Sequence, residues 1–202
     1  MTSRLALLRS GASRCPRPPP GIDAGAYAAA LFEDVAEVLH GLAGVDSLVL
    51  CPPGGAAAVQ ALVWPDVPVL EVAELTLRSA AGVAHSRGYA QLVVVAADAP
   101  DLPQLVLAKV FQALATSPVA VAGADGGGAV AIGLTLPVPA RLPAVDLDTV
   151  DVVRDLTAAA PQDVVATPGW HRLREPADLH RLDPGLEGWE ATRALLSSPS
   201  AG

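Results

Sequence analysis

Leu92-Val93-Val94-Val95-Ala96-Ala97-Asp98-Ala99-Pro100-Asp101 decides the fold. Leu92 to Ala96 is an unbroken apolar run holding three consecutive valines. A strand with one wet face alternates, whereas an unbroken run of β-branched residues reads as a strand covered on both faces, the habit of parallel sheets. The run ends in two carboxylates, and Pro103 stands near the first position of a helix reaching to Ala115, where its missing N–H costs nothing. In open parallel sheets, ligands bind beyond the C-terminal strand ends. Asp98 and Asp101 stand there.

Working outward, the same pattern recurs. Arg4 to Leu8, Ser47 to Cys51, Val119 to Ala122, Ala129 to Leu136 and Val164 to Ala166 read as strands, and Val67 to Val72 as a weaker one because of Pro68. Between them, Ala24 to Leu42 places Leu31, Val35, Val38, Leu39 and Leu42 at helical spacing opposite Glu33, Asp34 and Glu37. Ala56 to Val63, Leu75 to Ser86, Thr149 to Ala159 and Pro176 to Leu182 are further helical segments. Ser10 to Gly21, with four prolines and two glycines, is a loop. Strand and helix alternate, so the expected architecture is a single-domain, three-layer α/β/α sandwich on a mostly parallel sheet over residues 1–196, with 197–202 a frayed tail.

Composition narrows the function. The chain has 202 residues, 51% apolar and only 3% aromatic, so Val, Leu and Ala must fill the core. The formal net charge is -8 and Lys109 is the sole lysine, which leaves no basic stripe for a nucleic-acid backbone. No apolar run approaches a membrane span and no signal peptide is visible. Cys15 and Cys51 have no metal or redox spacing; one disulfide stays open, but the low count fits a reducing cytoplasm.

Two places could carry chemistry. Asp98 at the strand end can hold a divalent cation, and through it phosphate oxygens; Asp101 reads as the cap of the following helix. Asp125-Gly126-Gly127-Gly128 frees backbone N–H groups for a close ligand, or simply turns between two strands. Asp146-Leu147-Asp148 imitates a metal pair but reads better as the N-cap of the helix near Thr149. His40, His85 and His180 read as surface residues, and His171 stands out for its neighbours.

Together these segments resemble the nucleotide-diphospho-sugar transferase (GT-A-like) superfamily, and within it the bacterial radical-SAM/selenodomain-associated glycosyltransferase-like family. Asp98-Ala99-Pro100-Asp101-Leu102 looks like its Asp-x-Pro-Asp-Leu turn, and Asp125-Gly126-Gly127 followed by Ile132-Gly133-Leu134 like its Asp-Gly-Gly-Tyr-Tyr-Leu-Ile-Gly-Leu strand. Pro176-Ala177-Asp178-Leu179 resembles the Pro-Glu-Asp-Leu that opens the last helix. The resemblance implies a catalytic Asp98 holding Mg²⁺ or Mn²⁺. It implies a nucleotide or nucleotide-sugar site drawing on Arg9, Arg14, Asp125, Gly126, Gly127 and Gly128, an unidentified small-molecule acceptor, and a homodimer as one assembly. The departures are equally specific. Arg172 and Arg174 stand where the family places Asp-x-Asp, the paired tyrosines are Gly128 and Ala129, and the first loop has Arg9, Arg14 and Arg17 but no lysine. Either Arg172 and Arg174 neutralise phosphates without a metal, as in a nucleotidyl- or glycosyl-transferase, or the chain is a catalytically degenerate binding or assembly module.

Overall fold

The computed structural model describes residues 2–11, 15–140 and 142–198. Seven strands form one sheet: β1 (Arg4–Arg9), β2 (Asp46–Cys51), β3 (Val69–Glu71), β4 (Gln91–Val95), β5 (Val119–Ala124), β6 (Ala129–Thr135) and β7 (Val164–Trp170). Their order is β3-β2-β1-β4-β6-β5-β7. All neighbours run parallel except β6, which inserts antiparallel between β4 and β5. The chain leaves β1 toward β2 on one side and returns to lay β4 on the other. That reversal opens a crevice between the ends of β1 and β4, where sheets of this kind take ligands.

The helices are α1 (Ala24–His40), α2 (Ala56–Gln60), α3 (Leu77–Ser86), α4 (Gln104–Ala113), α5 (Val152–Ala159) and α6 (Glu190–Ser197), with a 3-10 turn at Pro176–Arg181. Every residue of β4 is buried, as its unbroken apolar run requires. β3 is shorter than the expected Val67–Val72 because Pro68 has no N–H for the ladder, although its carbonyl still accepts from the Val49 N–H at 2.9 Å. β7 runs four residues past the expected Ala166, through Pro168, which is tolerated because β7 is an edge strand. Among the described residues no helix is long and apolar enough to cross a membrane.

The α6 segment beyond Leu182 is a contact that the sequence leaves unstated. Asp34, buried in α1, accepts from the N–H groups of Ala191 and Thr192, both at 2.9 Å. One carboxylate thereby serves two donors that a helix start leaves without intrahelical partners. Asp34→Ala is expected to cost about 2–3 kcal/mol in urea unfolding and to speed hydrogen exchange at both amides. Burial pushes the Asp34 carboxyl up from its ordinary 3.8, opposed by the bonds to Thr192 and Ala191. A raised folded value favours folding fully below the ordinary value and loses that contribution as pH rises through the folded one. The stability of the wild type relative to Asp34→Asn is therefore expected to fall as pH rises across that window.

Candidate functional site

β4 ends at Val95, and the chain turns through Ala97 to bring Asp98 to the crevice floor, with 4% of its surface exposed. The Asp98 carbonyl accepts from the Leu173 N–H at 2.7 Å. This bond lays the segment after β7 beside the turn and sets Arg172 over the Asp98 carboxylate. Arg172 Nε donates to Oδ1 at 2.5 Å and Nη2 to Oδ2 at 3.0 Å. Nη1 donates to the carbonyls of Ala129 at 3.1 Å and Leu147 at 3.2 Å, while Nη2 also lies 2.9 Å from Asp148 Oδ1. A guanidinium has five N–H donors; here four hydrogen bonds hold it and Nη2 also faces Asp148 as an ion pair. Burial alone would weaken the Arg172 proton, but Asp98 and then Asp148 outweigh it and hold the group above its ordinary value.

Two sequence expectations change accordingly. The expected metal ligand Asp98 is 4% exposed, and each of its oxygens already accepts from Arg172. Arg172, expected to neutralise phosphate, is buried and instead sets its charge against Asp98 and Asp148. The expected caps at Asp146 and Asp148 also differ. α5 starts at Val152, after Asp151, with no side-chain cap. Asp146 instead forms a bidentate pair with Arg9, whose Nη1 reaches Oδ2 at 2.7 Å. Asp148 faces Arg172 and, at 3.5 Å, Arg174. Asp98, Asp148, Arg172 and Arg174 thus form one ion-pair network and Arg9 with Asp146 a separate pair, and the formal charges cancel within each. Asp-x-Asp and Arg-x-Arg carry the same spacing with opposite sign, but they meet only at Asp148, since Asp146 is taken by Arg9.

The glycine loop is used differently from a ligand cradle. Gly128 donates to the Val150 carbonyl and Ala129 to that of Leu147, both at 2.8 Å, and Arg174 Nη1 donates to Gly127 O at 2.9 Å. A Cβ on Gly128 would come within 2.5 Å of Leu147 O and 2.8 Å of Arg174 Nη2. Gly127 and Gly128 thus make room for the chain's own 147–150 segment, while Gly126 faces open space. Asp125 is exposed and pairs with Arg181 at 2.9 Å. Arg14 lies outside the described residues.

Asp101 does not cap α4, whose N-cap is Pro103. It is buried, accepts from Trp170 Nε1 at 3.1 Å and lies 3.0 Å from His171 Nε2. His171 is therefore drawn in by a carboxylate rather than left at the surface. Beneath the network, burial and then the carboxylates of Asp178 and Asp98 push Tyr27 up to about 12, so its phenol stays neutral.

Between the ends of β1 and β4 lies a cavity of about 250 Å³, whose walls include Arg9, Ser10, Phe32, Leu62, Asp98 and Arg172. Arg9 is 6% exposed, and its Nε has no hydrogen-bond partner among the described residues. An unpaired buried donor is costly unless something binds it. Arg9, Asp98 and Arg172 thus share one cavity. Gly127, Gly128, Arg174, Asp125 and Gly126 are not among its walls; Arg174 connects to it through Asp148 and Arg172, and Gly128 lies against the Leu147 carbonyl that Arg172 also holds.

A protein from Desulfovibrio desulfuricans, provisionally classed as a nucleotide-diphospho-sugar transferase, superposes with a TM-score of 0.74, at 20% identity over 97% of this chain and 94% of its own. The chain has the nucleotide-diphospho-sugar transferase fold. CMP:2-keto-3-deoxy-manno-octonic acid synthetase, solved with CTP, shares the fold at a TM-score of 0.59 and 14% identity, over 90% of this chain and 96% of its own. Rv0371c of Mycobacterium tuberculosis, solved with manganese, does so at 0.53 and 19%, over 98% and 100%. Residues 73–149 match the family described as "Uncharacterized protein conserved in bacteria (DUF2064)". That span holds Asp98, Asp146 and Asp148 but stops short of Arg172. No curated protein matches the sequence. On this transferase fold the donor set does not fit a divalent cation. Among the described residues no three His, Cys, Asp or Glu side chains converge to hold one, and the oxygens of Asp98 already serve a guanidinium.

Proposed function

We propose that this chain binds a nucleotide or nucleotide sugar in the β1–β4 crevice as a metal-independent binding module. One observation carries the reading: the buried Arg172 guanidinium lies between Asp98 and Asp148, held by four hydrogen bonds and an ion pair to Asp148. A cation supplied by the chain itself removes the need for a divalent ion and also removes its catalytic use. A guanidinium cannot exchange ligands or gather phosphate oxygens as Mg²⁺ or Mn²⁺ does. The charge balance of the network favours ligands with few phosphates over triphosphates. Arg9 Nε is the donor left for the ligand, and Phe32 and Leu62 supply apolar wall. Cys15 and Cys51 are free thiols, which accords with a cytoplasmic setting.

A metal-dependent transferase is the second reading, favoured by the fold's neighbours, one solved with CTP and one with manganese. Calorimetry with CTP, GTP, UDP-glucose and GDP-mannose separates the two. Binding of at least one member is expected, with affinity unchanged between Mn²⁺ and a chelator. Arg9→Lys keeps a charge for Asp146 but lacks the Nε donor, and is expected to weaken that binding about ten-fold. Affinity that depends on Mn²⁺, or silence across the panel, contradicts the proposal.

A further inference from the structure

A second cavity, of about 380 Å³, lies under the segment that joins β6 to α5. Its floor is Ile132 and Leu134, which share one face of β6 because they are two residues apart. Leu156 of α5 forms one side, and Leu142 and Val145 form the roof. The polar side chains of the lining are few: Asp146 and Thr149, joined by the Asp146 N–H donating to Thr149 Oγ1 at 2.9 Å, with Glu74, Thr76 and Arg78. An apolar lining with a few polar groups is how small-molecule sites fix orientation.

One ion pair joins the linings of the two cavities. Arg9 lines the first and Asp146 lines the second, joined by their bidentate contact. That pairing sets what the lining can recognise. Asp146 is already compensated by Arg9, and the other charged lining residues, Glu74 and Arg78, carry opposite charges, so the lining holds no net formal charge to draw in an ion. The Asp146 oxygens accept from Nη1 and Nη2 of Arg9 and from the Leu147 N–H. An ionised carboxylate has about four lone-pair positions, so one acceptor direction remains, and a third of the side chain is exposed to reach it: 33%.

We propose that this second cavity is a binding site for an uncharged, compact apolar molecule carrying a single O–H or N–H donor, which it presents to Asp146. The donor end then rests against the ion pair whose other face lines the first cavity. The site does not depend on what occupies the β1–β4 crevice, so failure of nucleotide binding leaves it standing, and its own failure leaves the nucleotide reading standing.

The probe is N-phenyl-1-naphthylamine, which is uncharged, apolar and has one N–H. Its fluorescence is titrated against the full chain, without nucleotide. Saturable binding of one probe per chain is expected, with hydrogen-exchange protection concentrated in residues 132–135 and 142–149. Leu142→Trp, in the roof and outside any strand or helix, is expected to weaken binding about ten-fold or more by filling the space. Leu134→Trp does the same from the floor. Absence of saturation, protection elsewhere in the chain, or wild-type affinity in either tryptophan variant with an intact unfolding transition overturns the site.

Discussion

Replacing Arg172 with leucine is expected to remove about 3–5 kcal/mol of stability, the largest loss from any single change in the candidate site. The cost does not come from the ion pair's own net worth, which burial largely cancels. It comes from what is left behind. Asp98 would keep a buried carboxylate with neither of its guanidinium bonds, and the carbonyls of Ala129 and Leu147 would lose their Nη1 donor. The Asp98→Leu/Arg172→Leu double variant separates these contributions. With both charges gone, the expected loss is smaller than in Arg172→Leu alone, despite the additional substitution. Urea unfolding of the two variants checks this, and a single-variant loss below about 1 kcal/mol would place the pair among weak surface contacts.

Gly128→Ala is expected to cost about 3 kcal/mol and to loosen the candidate site together with the fold. Gly128 has φ +78°, a region that L side chains occupy with strain of about 1–3 kcal/mol. The added methyl would also meet Leu147 O, which already accepts from Ala129 N–H and Arg172 Nη1. Relief of that clash must move the 147–150 segment, and with it Asp148. Gly126→Ala is the internal control. Its φ of +81° is equally unusual, but a Cβ there meets nothing within 4 Å, so only the backbone strain remains. Equal losses in the two variants, measured by thermal unfolding, would show that close approach is not the reason for glycine at position 128.

The sheet was legible because burial on both faces writes itself into a strand locally. β4 is nearly all valine and leucine, and it is covered on both sides. The antiparallel insertion of β6 was not legible. Its residues Ala129–Thr135 are as apolar as those of its parallel neighbours, and strand direction depends on connections rather than on composition. The position of Asp98 followed from the strand that delivers it, but its partner did not. Arg172 lies 74 residues along the chain, and nothing local distinguishes a phosphate-binding arginine from one saturated by carboxylates. Asp101 misled for the same reason. A carboxylate just ahead of a helix looks like a cap, while the groups that claim it, Trp170 and His171, arrive from β7 and its exit. Asp34 and α6 repeat the pattern across 157 residues. Local sequence specifies which groups need partners, and the topology decides which partners they receive.

The Arg172 guanidinium lies between Asp98 and Asp148, and on the proposed reading it takes the place of a divalent ion there. Titration of Mn²⁺ into the full chain, followed by electron paramagnetic resonance, tests it most directly. A spectrum of free aqueous Mn²⁺ is expected at every stoichiometry, unchanged by Asp98→Asn. Binding of one Mn²⁺ per chain that disappears in Asp98→Asn would contradict it.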